Sequence, residues 1–233
     1  MDASERYLVR KFRGNPWEEI KLRKGAHVLK AEEGVIRAFN KERTKDLLIR
    51  LNLYPGPYLG DIKKSKIVLL NLNPGYHRED DLFHCGANTY FQQSAVGNLR
   101  QRFKNSNYPF FLLDPRINAS PGYVWWAKRL GHLIDEVGDR EVARKICCVE
   151  YFPYHSEKFQ NLKCGSSPVL LDSQRYCFEL VRQAMKRKAL IIFMRSEKMW
   201  LDAIPELGSY DRRRRWKLKN PRSPFLSVGN LSR

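Results

Sequence analysis

The chain alternates between short, unbroken apolar runs and longer stretches in which apolar residues recur every three or four positions. Lys66-Ile67-Val68-Leu69-Leu70-Asn71-Leu72 is the clearest of the runs. A continuous apolar segment of this length predicts a strand buried on both faces, the usual state in a parallel sheet. Lys145-Ile146-Cys147-Cys148-Val149-Glu150-Tyr151-Phe152 and Ala189-Leu190-Ile191-Ile192-Phe193-Met194 predict two more, and Trp216-Lys217-Leu218-Lys219 a weaker fourth. Tyr123, Trp126, Ala127, Leu130, Leu133, Ile134 and Val137 follow helical spacing behind a start signal at Ser120-Pro121. Further helices are predicted over 32–51 and over 168–188, the latter capped by Ser167. Asn15-Pro16-Trp17-Glu18 predicts a helix start, with Asn15 as cap, Pro16 at the first position and Glu18 completing a capping box.

Strands alternating with helices predict an α/β fold, a three-layer αβα arrangement around a central, mainly parallel four-stranded sheet. Tyr54-Pro55-Gly56-Pro57 breaks the chain. It divides an N-terminal helical extension, 1–57, from one compact α/β unit, 58–233. Ligands of such sheets bind beyond the carboxyl ends of the strands. The oddest polar segments fall there: 71–76, 150–156, Arg195-Ser196 and 220–227.

Composition narrows the partner. Among 233 residues, 43 Lys and Arg oppose 25 Asp and Glu, a net charge of +18, with 12% aromatics. That balance predicts a polyanion, most simply nucleic acid. At 42% hydrophobic the chain is too apolar for a disordered basic tail. No run approaches the ~20 apolar residues of a membrane span, and Met1-Asp2-Ala3-Ser4-Glu5-Arg6 lacks an apolar signal core. A cytoplasmic monomer that does not engage membrane is expected. The five cysteines are odd in number and show no C-x-x-C spacing, so reduced thiols are expected, with no metal site.

Asn71-Leu72-Asn73-Pro74-Gly75-Tyr76 holds an amide in a rigid turn directly after a buried strand. Proline fixes one dihedral, glycine admits close backbone approach, and a fixed Asn can orient a water. The same residues would also serve an ordinary strand-to-loop turn. This segment resembles the first motif of the uracil-DNA glycosylase superfamily, whose mismatch-specific branch reads G-I-N-P-G. Asn73 falls on the Asn that positions the attacking water, Pro74 and Gly75 on the Pro-Gly, and Asn71 replaces the initial Gly. Tyr76 lies where some branches shape the base pocket with an aromatic ring. Asn220-Pro221-Arg222-Ser223-Pro224-Phe225-Leu226-Ser227 resembles the second motif, H-P-S-P-L-S or N-P-S-G-L-S, if Arg222 is an insertion. The resemblance spans roughly residues 58–230. It implies a monofunctional DNA glycosylase with Asn73 and Asn220 catalytic, a base flipped from double-stranded phage or damaged DNA, and an abasic product. The cysteines do not match the iron–sulfur branches, and no cofactor is expected.

After the second strand, uracil-specific members place an Asn where this chain has Glu150. An ionised Glu only accepts hydrogen bonds, which suits the amino group of cytosine better than uracil. Glu150 could equally be salt-bridged to an arginine. Tyr151, Phe152 and Tyr154 are candidates to stack on a flipped base, or are core residues. His155 could protonate a leaving base, contact phosphate or be structural, and Ser156 completes the expected base pocket. Arg212, Arg213, Arg214, Arg215 and Lys217 precede the second motif and are expected to contact phosphate, with Arg222 and Ser223. Phe225 or Leu226 is a candidate wedge, unless both are core. The substrate leans to a 5-modified cytosine: the chain is similar to the anti-phage branch acting on glucosylated hydroxymethylcytosine, with uracil or deaminated bases as the alternative. Two other classes stay open. Glu79-Asp80-Asp81 could bind magnesium in a nuclease, although a helix start explains them as well. A non-catalytic nucleic-acid module would bind DNA without altering any base.

Overall fold

The computed structural model describes residues 14–22, 25–164 and 167–233. The charged segment Met1 to Arg6 and the thiol of Cys164 lie outside what it describes. The strands are β1 (Tyr58–Leu59), β2 (Ile67–Asn71), β3 (Ile146–Glu150), β4 (Lys163–Cys164), β5 (Ser167–Pro168), β6 (Leu190–Phe193), β7 (Arg215–Leu218) and β8 (Leu231–Ser232). The helices are α1 (Glu33–Lys41), α2 (Asp80–His84), α3 (Thr89–Leu99), α4 (Pro121–Val137), α5 (Asp139–Lys145), α6 (Asp172–Lys186), α7 (Glu197–Ala203) and α8 (Glu206–Ser209).

The four apolar runs become β2, β3, β6 and β7, which are mutually parallel. Val68, Leu69, Leu70, Cys147, Cys148 and Val149 are completely buried, as expected of strands covered on both faces. The sheet nevertheless has six strands, not four, in the order β1-β3-β2-β6-β7-β8. The two additions are antiparallel edges of two residues each, too short to write an apolar run, and short edges limit unwanted pairing. The architecture is mixed α/β.

From β2 the chain passes through α2 to α5 and returns beside β2 as β3; it then crosses β2 through α6 to reach β6. Right-handed crossovers send these two connections over opposite faces. The strand order therefore reverses between β2 and β6, where a crevice opens beyond their carboxyl ends.

Three helix predictions shift. The 32–51 stretch is helical only over α1, followed by a short 3₁₀ turn at Lys45–Leu47. Asn40 ends the helix by bridging to Ile49: its Nδ2 donates to the Ile49 carbonyl, and its Oδ1 accepts from the Ile49 amide, both at 2.9 Å. Asn15 does cap, accepting from Trp17 N at 3.1 Å, but over a 3₁₀ turn, Pro16–Glu19. Glu18 pairs with Arg102 at 2.8 Å instead of closing a capping box. The helix predicted from 168 begins at Asp172, and Ser167 lies in β5, paired with β4. By contrast, α4 starts as predicted, with Ser120 Oγ accepting from Tyr123 N at 3.1 Å.

The segment before β1 is part of the core. Trp17 is completely buried, edge-on to Tyr154 with ring centres 5.9 Å apart. The buried Glu32 carboxylate accepts from Tyr154 Oη at 2.7 Å, Ser173 N at 2.7 Å and Ser173 Oγ at 3.0 Å. Cys85, Cys147, Cys148 and Cys177 are free thiols. Among the described residues no helix is long and apolar enough to cross a membrane.

Candidate functional site

Asn71 closes β2 and Glu150 closes β3, and the two are register partners in the parallel ladder. Their side chains meet: Asn71 Nδ2 donates to Glu150 Oε1 at 3.0 Å. Trp200 Nε1 donates to the Asn71 carbonyl at 2.8 Å and fixes the strand end from behind. Asn71 and Glu150 are both buried, yet Asn71 Oδ1 and Glu150 Oε2 have no hydrogen-bond partner among the described residues. Burial pushes the Glu150 carboxyl up to about 8, against the opposing influence of Asn71, Arg195 and Cys148. At neutral pH the acid is therefore mostly protonated, and Oε2 can carry an O–H donor. The group beside Asn71 is a neutral acid, not the acceptor-only carboxylate expected from the sequence, and among the described residues it forms no salt bridge. Burial costs a charged acid more than the nearby guanidinium returns.

The turn after β2 is clamped to the segment after β3. Tyr151 N donates to the Asn71 carbonyl at 3.2 Å and Phe152 N to the Leu72 carbonyl at 2.8 Å. Asn73 Nδ2 donates to Ser156 Oγ at 3.1 Å, to the Ser156 carbonyl at 3.3 Å and to the Pro74 carbonyl at 3.0 Å. With its amino group so engaged, Asn73 retains its carbonyl oxygen to offer. His155 brackets the same turn, with Nδ1 2.6 Å from the Gly75 carbonyl and Nε2 3.0 Å from the Tyr54 carbonyl. Both neighbours only accept, so donation to both needs an imidazolium. Burial nevertheless pushes its pKa down, while Asp80 and the two carbonyls oppose that. Each nitrogen faces the carbonyl of a different segment, so the ring braces the turn after β2 against the Tyr54 segment.

These groups border a cavity of about 380 Å³, within the ~300–1,000 Å³ range of small-molecule sites. Asn71, Asn73, Pro74, Gly75, Tyr76, Glu150 and His155 all line it, as does Arg195 from the end of β6. The far wall is aromatic and apolar: Phe91 and Ala95 on α3, Phe111 and Leu112 beyond it, Trp125 and Trp126 on α4. His84 lies in the same wall; its Nδ1 accepts from Tyr54 N at 2.9 Å, and complete burial holds its pKa well below the usual range. Tyr76 donates to Asp81 at 2.8 Å and lies under the Arg50 guanidinium, 4.2 Å from its ring centre.

Other expected site residues sit elsewhere. Phe152 and Tyr154 are packed in the core, 2% and 0% exposed, and offer no face to a base. Ser156 is buried behind Asn73 and acts through it. Asn220 lies beyond the carboxyl end of β7, on the same edge of the sheet as Asn71 but outside the cavity lining. It is exposed, and its Oδ1 accepts from Arg222 N at 3.2 Å and Ser223 N at 3.3 Å, shaping its own turn. Leu226 is buried, with its amide donating to the Arg129 carbonyl at 2.9 Å, so it is not an exposed wedge. Phe225 packs beside the Arg129 guanidinium, 5.3 Å from its ring centre.

The arginine run is at the wrong end of its strand to adjoin the cavity. Arg212, Arg213 and Arg214 precede β7, and β7 is parallel to its neighbours, so they sit on the amino edge of the sheet. Four strand residues, ~13 Å, separate that edge from the carboxyl edge. Arg213 pairs with Asp211 at 3.3 Å, Arg214 donates to the Lys188 carbonyl at 2.6 Å, and Arg215 donates to Leu207 and Gly208 carbonyls. Lys217 pairs with Glu197 at 3.2 Å. Arg222, exposed on the carboxyl edge, stays on the cavity side.

The acidic triplet begins α2. Asp80 accepts from His77 N at 2.7 Å, Asp81 holds Tyr76 and accepts from Asn52 Nδ2 at 2.6 Å, and Glu79 is exposed. Among the described residues no three His, Cys, Asp or Glu side chains converge so as to hold a metal ion. Arg195 lies where the sequence placed it, at a polar strand end, whereas the aromatic wall and His84 were not expected; a Trp-Trp pair on a well-started helix was the signal for the wall. No protein-family model, curated protein or solved structure matches this chain.

Proposed function

We propose that the chain is a monofunctional DNA glycosylase acting on a pyrimidine nucleotide flipped out of duplex DNA, leaning to a 5-modified cytosine. The observation that carries this reading is that Asn71 and Glu150, two register partners lining one cavity, each hold a buried oxygen, Oδ1 and Oε2, without a hydrogen-bond partner among the described residues. They offer an acceptor beside an acid O–H. A cytosine edge meets both, its amino group donating to Asn71 and its N3 accepting from Glu150. A uracil edge also meets both with the partners exchanged, and stays the alternative. The room beside the aromatic wall supports a substituent on the ring, as in the hydroxymethyl or glucosylated cytosines that the motif resemblance implies.

The chemistry follows from the same groups. The C1′–N1 bond breaks with oxocarbenium character, as in other glycosyl transfers, and its electron pair leaves with the base. The Glu150 O–H hydrogen-bonds the departing base and spreads that charge in a buried setting. The Asn73 carbonyl oxygen accepts from the water that adds to C1′, and the water's proton passes to the departing base or to solvent. Among the described residues no lysine lines the cavity to form a Schiff base, so no lyase step is included.

The test is to incubate the protein, with chelator present, with duplexes carrying uracil, cytosine, hydroxymethylcytosine or its glucosylated form. Released base is read by mass spectrometry and abasic sites by alkaline cleavage. Base release from one of them is expected; intact DNA with all four, or strand breaks that require metal, would refute the reading.

A further inference from the structure

Arg195, which lines the cavity, and Arg129, which stacks on a cavity-lining ring, are half-buried arginines without ion-pair or side-chain hydrogen-bond partners among the described residues. Arg195 follows β6 and lines the cavity; Ser196, next to it, adopts a left-handed backbone with φ of 55°, a strained conformation of the kind found at functional sites. Arg129 projects from α4 between two aromatic rings, its guanidinium carbon 4.5 Å from the centre of Trp125 and 5.3 Å from that of Phe225. Trp125 lines the cavity, and Phe225 belongs to the loop after β7, whose Leu226 amide is tied to the Arg129 carbonyl. Helix α4 and the β7 loop thus hold one guanidinium flat, while the end of β6 supplies the other.

Neither arginine makes an ion pair or side-chain hydrogen bond among the described residues, and the Nε of each is buried without an acceptor. They act on one another: Arg195 disfavours the charge on Arg129, adding to the cost of burial. Glu150, which feels the charge of Arg195, is mostly neutral at pH 7 and does not compensate it. Keeping two like charges together, partly desolvated, is unfavourable unless an anion joins them. Planar, stacked guanidinium groups with free N–H donors match the oxygens of a phosphate.

We infer that Arg129 and Arg195 form a phosphate-binding site at the mouth of the cavity, taking the phosphodiester of a nucleic-acid strand or the phosphate monoester of a free nucleotide. The site does not depend on glycosidic cleavage. Its place beside Asn71 and Glu150 sets a phosphate next to whatever ring the cavity holds, so it would select nucleotides over nucleosides and bare bases. Phe225 has a role here as a platform for Arg129.

The experiment compares wild-type protein with Arg129→Gln, Arg129→Lys and Arg195→Gln. Binding is measured for a 15-mer duplex across a salt series, and for deoxycytidine monophosphate against deoxycytidine. With a nucleic-acid phosphate, each Gln variant binds the duplex about tenfold more weakly and its log–log salt slope falls by about one. Arg129→Lys recovers part of the affinity, because it keeps the charge but loses the fork. With a free nucleotide, wild-type protein instead prefers the monophosphate to the nucleoside and both Gln variants lose the preference. Because two like charges repel, neither Gln variant should melt below wild type at low salt. Wild-type-like binding of all ligands by both Gln variants would overturn the site. So would a fall in melting temperature, which would make the arginines structural. Base release is not read here, so an inactive enzyme that binds phosphate through these residues would refute the glycosylase proposal alone.

Discussion

Glu150→Gln tests the buried acid at the centre of the site. The folded protein raises this carboxyl from its ordinary 4.5 to about 8, chiefly by burial. Below pH 4.5 it is protonated whether the chain is folded or not, and its contribution to stability is fully present. Between 4.5 and about 8 the unfolded chain releases the proton and the folded chain keeps it. Stability therefore falls as pH rises, by about 1.4 kcal/mol per pH unit. Above about 8 the loss is complete, about 5 kcal/mol in all. His84 and His155 work in the opposite sense, since burial lowers their pKa values. The unfolded chain takes up their protons below about 6.5, and stability falls as pH falls. Wild-type stability alone would blend these trends. The Gln variant keeps an oxygen for Asn71 and never ionises, so subtracting it isolates the acid. Urea denaturation of both proteins from pH 5 to 9 should give a difference that moves in favour of Gln by about 1.4 kcal/mol per unit up to pH 8 and then levels off. A difference that stays flat across the range would refute the protonated, buried acid, and with it the donor assigned to the leaving base.

Three further outcomes follow from other contacts. Asn73→Ala should lower base release about 100-fold or more in single-turnover assays while changing duplex affinity little; an equal loss of affinity would make Asn73 a binding residue instead. Trp200→Phe removes the donor to the Asn71 carbonyl and should cost about 1–2 kcal/mol in urea denaturation; unchanged stability would mean that the strand end needs no such brace. Gly60→Ala should destabilise by more than about 1 kcal/mol, read as a fall in melting temperature, because Gly60 has φ of 88° and a Cβ would lie 2.9 Å from the Ile146 carbonyl. A melting temperature equal to wild type would contradict that close approach.

The central strands were legible because strands covered on both faces must be apolar throughout, and β2, β3 and β6 appear where the runs do. Helix α4 was legible because its cap, its first-turn proline and its apolar spacing agree. The edges were not, since β1 and β8 contribute two residues each and take their order from pairing. The 32–51 helix failed on a tertiary contact: nothing local in Asn40 announces that it will bridge to Ile49. The arginine run was misplaced because adjacency along the chain was read as adjacency in space, whereas an intervening strand carries the chain across the sheet. Phe152 and Tyr154 could be core or pocket on composition alone, and their burial decides for the core.

What the sequence could not supply about Glu150 was its ionisation, a property of its surroundings. Its identity and its place after a buried strand were readable; the neutral state comes from complete enclosure beside Asn71, which only the β2–β3 register produces. That register also explains why the site is a site. A buried polar atom without a partner costs about 1–3 kcal/mol, and native proteins keep such atoms few. Here two such atoms belong to register-paired residues that line the same cavity beyond the carboxyl ends of β2 and β3. If the pair served only the fold, replacing Asn71 and Glu150 together by apolar residues of similar shape would relieve both penalties and stabilise the protein. On the proposed function, a base entering the cavity supplies the donor and acceptor that these two atoms lack.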